Sequence, residues 1–224
     1  MIYFDIFIYK NKINLYIMNN IVNEIKDKGY YILKNYYNEE KCNNIKKDIN
    51  NIKNYNIGEG GDIRVVRFEE ISSITKGFLD DPYFLSIGKE LMGHNVDGRT
   101  KRCQLGIVKY NTGKECSGGG WHVDCHNPQF KAILYLTDVN KNNGPFAIIS
   151  PPINSKDYEP ISQEKNTRFS DKIEKDYKDN IHILTGNMGD VILVMTSNIH
   201  RGTIIKEGER LSLTNYYYDG VYST

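Results

Sequence analysis

The chain has 224 residues, with 29 basic and 28 acidic side chains and a formal charge of +1. That length suits one elaborated domain with a real core, and the near-neutral charge excludes a broad cationic surface for wrapping nucleic acid. Four cysteines without a C-x-x-C pair exclude a dense disulfide scaffold, and no apolar run approaches the ~20 residues of a membrane span.

The first 17 residues stand apart as an extension of uncertain status. Ile2, Phe4, Ile6 and Ile8 alternate in a strand-like pattern, and Met18 is an alternative start. Asp5, Lys10 and Lys12 interrupt the apolar patches, and no small-residue cleavage site follows, so this is a poor signal peptide. Free thiols then imply a reducing, cytoplasmic location. Residues 18–224 read as a single domain. A short helix over 18–28 ends at Gly29, and Tyr30–Lys34 forms a strand. Asn38 caps a helix to about Lys53, with Cys42, Ile45, Ile49 and Ile52 on one face. Gly58, Gly60 and Gly61 form a loop, and Pro82 opens a helix ending at Gly93.

From residue 103 the pattern becomes β-rich: CQLGIVKY, FKAILYLTDV, PFAII, IHIL, DVILVM, GTII and RLSLTNYYY, separated by turn clusters. The predicted fold is mainly β with N-terminal helices (α+β). Helical support over 18–93 packs on a double-stranded β-helix, a cupin-like jelly roll, over 103–219. Residues 152–180 are polar and long for a loop, which reads equally as a lid over a pocket or as a disordered excursion.

The chemistry concentrates at Gly118-Gly119-Gly120-Trp121-His122-Val123-Asp124. Side chains two apart on an extended segment share a face, so His122 and Asp124 can converge on one metal ion. His200, after the apolar strand Asp190–Met195, is the best candidate for the third ligand. Two histidines and a carboxylate are the ligand set of non-haem Fe(II) with open positions. Arg210 follows ten residues later, across the turn 206–209, and a hairpin there would return it towards the metal. Its planar fork suits a carboxylate, and Ser212 on the same face adds a hydroxyl.

With these residues in place, W-H-x-D at 121–124, LYLTDV and NGPF at 134–146, GDVILV at 189–194, HRG at 200–202 and GERLSL at 208–213 together resemble the Fe(II)/2-oxoglutarate-dependent dioxygenases, above all their phytanoyl-CoA dioxygenase-like branch. The resemblance spans roughly residues 29–219. It implies His122, Asp124 and His200 as iron ligands, and Arg210 with Ser212 as the anchor of the distal carboxylate of 2-oxoglutarate. It also implies O₂ as oxidant, release of succinate and CO₂, and hydroxylation of a small organic substrate. Tyr110-Asn111-Thr112-Gly113 resembles the prolyl-4-hydroxylase-like branch, where a tyrosine at this place bonds the same carboxylate. That likeness keeps open a peptide or protein substrate. Asp124 argues against halogenation, because halogenating relatives carry a small residue there.

The competing readings are a surface His–Asp pair, a non-catalytic jelly-roll binding module, another metal enzyme on a cupin-like barrel, and a zinc site from Cys116, His122, Cys125 and His126. The zinc site is disfavoured because Cys125 has the opposite parity to His122. His126 reads as a solvated loop residue, Trp121 as packing, Arg201 as facing away from His200, and Tyr216–Tyr218 as sheet packing. No motif identifies the substrate.

Overall fold

The computed structural model describes residues 16–58, 60–94, 101–109 and 118–218. Residues 1–15 of the expected 1–17 extension, Tyr110 and Cys116 lie outside the described residues, while residues 16 and 17 begin the first helix. In chain order the elements are α1 (16–28), β1 (Tyr30–Leu33), α2 (Glu39–Asp48), β2 (Asn56–Ile57), β3 (Ile63–Val66), α3 (Ser73–Leu79), α4 (Pro82–Met92), β4 (Lys101–Lys109), β5 (Gln129–Tyr135) and β6 (Phe146–Ile149). They continue with α5 (Lys172–Asp176), β7 (Ile181–Leu184), β8 (Val191–Met195), β9 (His200–Gly202) and β10 (Glu209–Tyr218).

The helices start where side chains can serve orphaned backbone donors. Asn38 Oδ1 accepts from the Lys41 amide at 3.0 Å, Ser72 Oγ from Thr75 at 3.2 Å, and Asp81 Oδ1 from Tyr83 at 2.9 Å. Glu39 and Glu40 open α2 while Lys46 and Lys47 close it, matching the helix dipole. α2 gives way at Ile49 to a 3-10 turn ending at Asn51, short of the expected Lys53. α4 stops at Gly93, whose φ of +76° provides a left-handed cap.

The strands form two antiparallel sheets. The large one has the order β1-β8-β5-β10-β4-β3-β2, and the small one β7-β6-β9. They are the two layers of the expected jelly roll, and pleat parity divides the large sheet's two faces. Phe130, Ala132 and Leu134 of β5, Leu211, Leu213 and Tyr217 of β10, and Cys103 and Leu105 of β4 point one way. They join Ile21, Ile25, Phe78, Phe84 and Ile87 of the helices in the main core. Ile133 and Tyr135 of β5 and Ile192 and Val194 of β8 point the other way, against Ile148 and Leu184 of the small sheet. β8, and β5 apart from Gln129 and Lys131, are apolar on both faces because both faces are covered.

Asp190 locks the entry to β8. Its buried carboxylate accepts from the amides of Asn35 and Asn187, each at 2.9 Å, and from Lys34 Nζ at 2.8 Å. Burial alone would raise this carboxyl; Lys34 and the two amides outweigh it and hold it below its ordinary range. The preceding Gly189 has φ +93°, and a Cβ there would strike the carbonyl of Tyr37.

Three features depart from the sequence expectations. The run GTII is not a strand: β9 covers His200–Gly202 and ends there. β9 also does not pair with β10. It pairs with β6 in the small sheet, while β10 lies between β4 and β5 in the large one. The chain therefore crosses between layers rather than turning back in a hairpin. Third, β2 and β3 pair as a short edge hairpin around the glycine loop, and α3 precedes α4; none of these three elements was anticipated.

The excursion over 152–180 is ordered rather than disordered. It contains α5 and two 3-10 turns, and it buries Phe169 and Ile173 with Trp121, Val123, Ala147, Ile149 and Ile199 in a second core. Among the described residues, no helix is long and apolar enough to cross a membrane.

Candidate metal and co-substrate site

His122 and His200 are brought together by the backbone. The His122 amide donates to the His200 carbonyl at 2.9 Å, and the His200 amide donates back at 2.8 Å. His122 sits in this isolated bridge and not in a regular strand, as had been expected. The segment is nevertheless extended: Val123 N bonds Thr167 O and Asp124 N bonds Thr196 O, each at 3.0 Å. His122 and Asp124 therefore emerge on one side, while Trp121 turns into the second core.

Each imidazole is oriented by a carbonyl two residues before it. His122 Nδ1 lies 2.8 Å from Gly120 O, and His200 Nδ1 lies 2.9 Å from Asn198 O. With Nδ1 donating, Nε2 keeps its lone pair and faces the cavity. His122 Nε2 is 3.9 Å from Asp124 Oδ1, and His200 Nε2 is 3.8 Å from Asp124 Oδ2. All three ligand atoms lie within 4.8 Å of one another. Metal–ligand bonds of about 2.0–2.2 Å place neighbouring ligand atoms roughly 3 Å apart, so a small inward shift of these side chains would gather them around one ion.

The electrostatics suit a cation. Burial drives the His122 pKa down to about 3, helped by the neighbouring His200, and that of His200 down to about 4. Both rings are thus neutral at ordinary pH, the form that ligates metals. The backbone of Asp124 is open to solvent, but its side chain is only 23% exposed. Burial alone would raise its carboxyl; the Lys131 ammonium and the two imidazoles hold it well below the carboxylate range. Lys131 Nζ lies 2.6 Å from Asp124 Oδ2.

The three residues line a cavity of about 280 Å³ between the two sheets. Arg210 and Ser212 line the same cavity, reaching it from the large sheet while His200 reaches it from the small one. Ser212 is paired across the sheet with Gly106 and Tyr135. Tyr135 donates its hydroxyl proton to Leu184 O at 2.8 Å, and burial pushes its pKa up to about 12 although Arg210 pulls the other way. The Arg210 Nε is buried and has no hydrogen-bond partner among the described residues. An orphaned guanidinium donor inside a cavity is costly unless an anion completes it, and a carboxylate matches its fork. The donor set therefore fits both a divalent ion and a carboxylate-bearing co-substrate.

Several cavity residues escaped the sequence reading. Lys131 had a usable signal: it is the lone charge in the apolar run FKAILYL, with the parity of Ile133 and Tyr135. Tyr216 lines the cavity instead of serving only sheet packing, whereas Tyr217 belongs to the main core. Thr167 and Arg168 come from the 152–180 excursion and had no local signal. Arg201 faces away from the cavity, as expected, bonding Glu174 at 2.8 Å and lying 5.4 Å from the Trp121 ring centroid. His126 is half-buried, 3.3 Å from Ser155 Oγ of the excursion, so it is not fully solvated.

Solved structures resemble this fold at low identity. The epimerase SnoN, in complex with Fe3+, alpha ketoglutarate and nogalamycin RO, aligns with a TM-score of 0.70 at 12% identity, over 90% of this chain and 83% of its own. HygX from Streptomyces hygroscopicus, with nickel, 2-oxoglutarate and hygromycin B, gives 0.60 at 13% identity, over 89% and 86%. A Pseudomonas putida prolyl-4-hydroxylase gives 0.63 at 14% identity, over 91% and 100%. No curated protein matches the sequence significantly. The phytanoyl-CoA dioxygenase (PhyH) family profile matches residues 25–204, most of the chain, and the protein belongs to that family.

Proposed function

We propose that the protein is an Fe(II)- and 2-oxoglutarate-dependent dioxygenase that hydroxylates a small organic molecule. The carrying observation is that His122, Asp124 and His200 share one cavity with the buried, unpartnered Nε of Arg210. In this reading the first three residues hold iron. Arg210 and Ser212 receive the distal carboxylate of 2-oxoglutarate, and Tyr110 remains a candidate for the same carboxylate. Iron bound there would supply O₂ activation coupled to decarboxylation of 2-oxoglutarate to succinate and CO₂.

The chain's own part is to orient and to enclose. The carbonyls of Gly120 and Asn198 fix the two imidazoles. The two sheets and residues 167–168 wall the cavity, which limits water around a reactive oxidant. Asp62, Arg64, Gln104 and Arg168 in the lining favour a polar substrate over a long apolar chain, and the cavity volume favours a small molecule over a peptide. The excursion at 152–180 then acts as a wall of the pocket. We place the enzyme in the cytoplasm as a single domain over 18–224, supported by the free thiols of Cys42, Cys103 and Cys125.

The test is anaerobic addition of 2-oxoglutarate to the Fe(II)-loaded protein, followed by O₂. A metal-to-ligand charge-transfer band and succinate formation are expected. Absence of both would leave a binding module. Coupled turnover with a proline-containing peptide, and not with small polar molecules, would favour the prolyl-4-hydroxylase-like alternative.

A further inference from the structure

Lys131 is the one charged side chain in β5, a strand buried along its whole length. Its neighbours Phe130 and Ala132 serve the helix-facing core, so folding alone would be better served by an apolar residue. Instead its ammonium reaches Asp124 Oδ2 at 2.6 Å. The ring of Tyr216, paired with it across the sheet, lies 4.1 Å from Nζ. Arg102 stacks on that same ring, 4.9 Å from the centroid, so a second cation opposes retreat of the lysine in that direction. The ammonium is therefore held on one particular oxygen. Oδ2 also lies 3.8 Å from His200 Nε2, while the other oxygen, Oδ1, lies 3.9 Å from His122 Nε2 and takes no lysine contact.

We propose that Lys131 is a positioning residue for the metal centre: it occupies one oxygen of Asp124, so that the carboxylate offers a metal ion a single oxygen. This rests on the dioxygenase reading for its purpose. An octahedral ion has room for three protein ligands, two chelating oxygens of 2-oxoglutarate, and O₂. A carboxylate that bound through both oxygens would take one of the positions the co-substrate needs. Lys131 prevents this by hydrogen bonding and by charge, while leaving Oδ1 free to ligate.

The test compares wild type with Lys131→Met, an unbranched side chain one atom shorter and without a donor, and Lys131→Arg, which keeps the donor. Fe(II) binding and the 2-oxoglutarate charge-transfer band are followed anaerobically. Lys131→Met should still bind Fe(II), because the ion replaces the lysine as counter-charge to Asp124. Its 2-oxoglutarate affinity should fall by about tenfold or more, the scale of one charge-assisted hydrogen bond, with a shifted or weakened band. Lys131→Arg should restore most of the band. An unchanged band and affinity in a folded Lys131→Met protein would overturn the proposal. A wild-type protein with no band would instead refute the dioxygenase reading.

Because Lys131→Met could fail to fold, a second measurement uses wild type alone. The infrared difference spectrum on adding Zn(II) should show the widely split carboxylate stretches of one-oxygen ligation. The narrow splitting of two-oxygen ligation would overturn the assignment whatever the variants do.

Discussion

Replacing Arg210 by alanine separates co-substrate binding from folding. Most buried charges are paired, and removing one partner destabilises the fold by leaving the other uncompensated. Arg210 differs, because its buried Nε has no partner among the described residues. Its removal strands no described hydrogen-bond partner and relieves an unsatisfied donor whose burial costs about 1–3 kcal/mol. Without ligand, Arg210→Ala should therefore melt no lower than wild type. With 2-oxoglutarate the order should reverse. A charge-assisted hydrogen bond to a carboxylate contributes about 1.5–3 kcal/mol, so the variant should bind the co-substrate roughly ten- to over a hundredfold more weakly. At a ligand concentration about 100 times its Kd, wild type should gain about 2.7 kcal/mol of stability, and the variant at that concentration far less. Arg210→Lys keeps the charge but not the fork and should fall between them. The assay is anaerobic titration of the charge-transfer band, paired with iron stoichiometry and thermal melts with and without 2-oxoglutarate. An unchanged Kd with normal iron content would show that Arg210 does not anchor the co-substrate. A large loss of stability in the ligand-free variant would show that the orphaned donor has a partner in the folded chain.

Other perturbations probe the remaining parts of the argument. His122→Ala and His200→Ala should each abolish iron retention and turnover, read by metal analysis and succinate release; normal turnover in either would remove that residue from the ligand set. Asp124→Gly should lose hydroxylation and also lower the melting temperature, because it leaves the buried Lys131 ammonium unpaired, and full activity would mean that Asp124 is no ligand. Asp190→Ala should cost about 1.5–3 kcal/mol at neutral pH in urea unfolding, because it removes the charged acceptor of two backbone amides. Since the folded carboxyl of Asp190 is held below its ordinary range, its ionised form contributes stability above about pH 4, and that contribution fades as the pH falls through the folded value. The gap between wild type and Asp190→Ala should narrow in acid; a gap independent of pH would mean that the charge is irrelevant there. Gly189→Ala should destabilise by more than about 1 kcal/mol, since its φ of +93° and the Tyr37 carbonyl both oppose a Cβ, and an unaltered melting temperature would refute that packing.

Local pattern made much of this protein legible. The cap at Asn38, the helix-opening Pro82 and the apolar runs of β5 and β8 act through neighbouring residues, so the chain announces them itself. The pairing of His122 with Asp124 follows from the pleat of an extended segment, and the choice of His200 from its place after an apolar strand. What the sequence could not carry was the partition of strands between layers. Arg210 does reach the cavity of His200, but from the opposite sheet, because β9 pairs with β6 while β10 is held between β4 and β5. Strand pairing is decided by the burial of whole faces across the domain, and a ten-residue interval does not reveal it. For the same reason Arg168 emerged only in three dimensions, and the lone charge of Lys131 was visible in the chain but its partner was not. Arg168 belongs to a polar excursion that becomes cavity wall by bonding alongside His122, and Lys131 is a cation tolerated in a buried strand because Asp124, in the segment just before that strand, meets it across the cavity. The residue types needed for the chemistry were fixed along the chain, and tertiary packing decided which of them share one enclosed space and which charge each one faces.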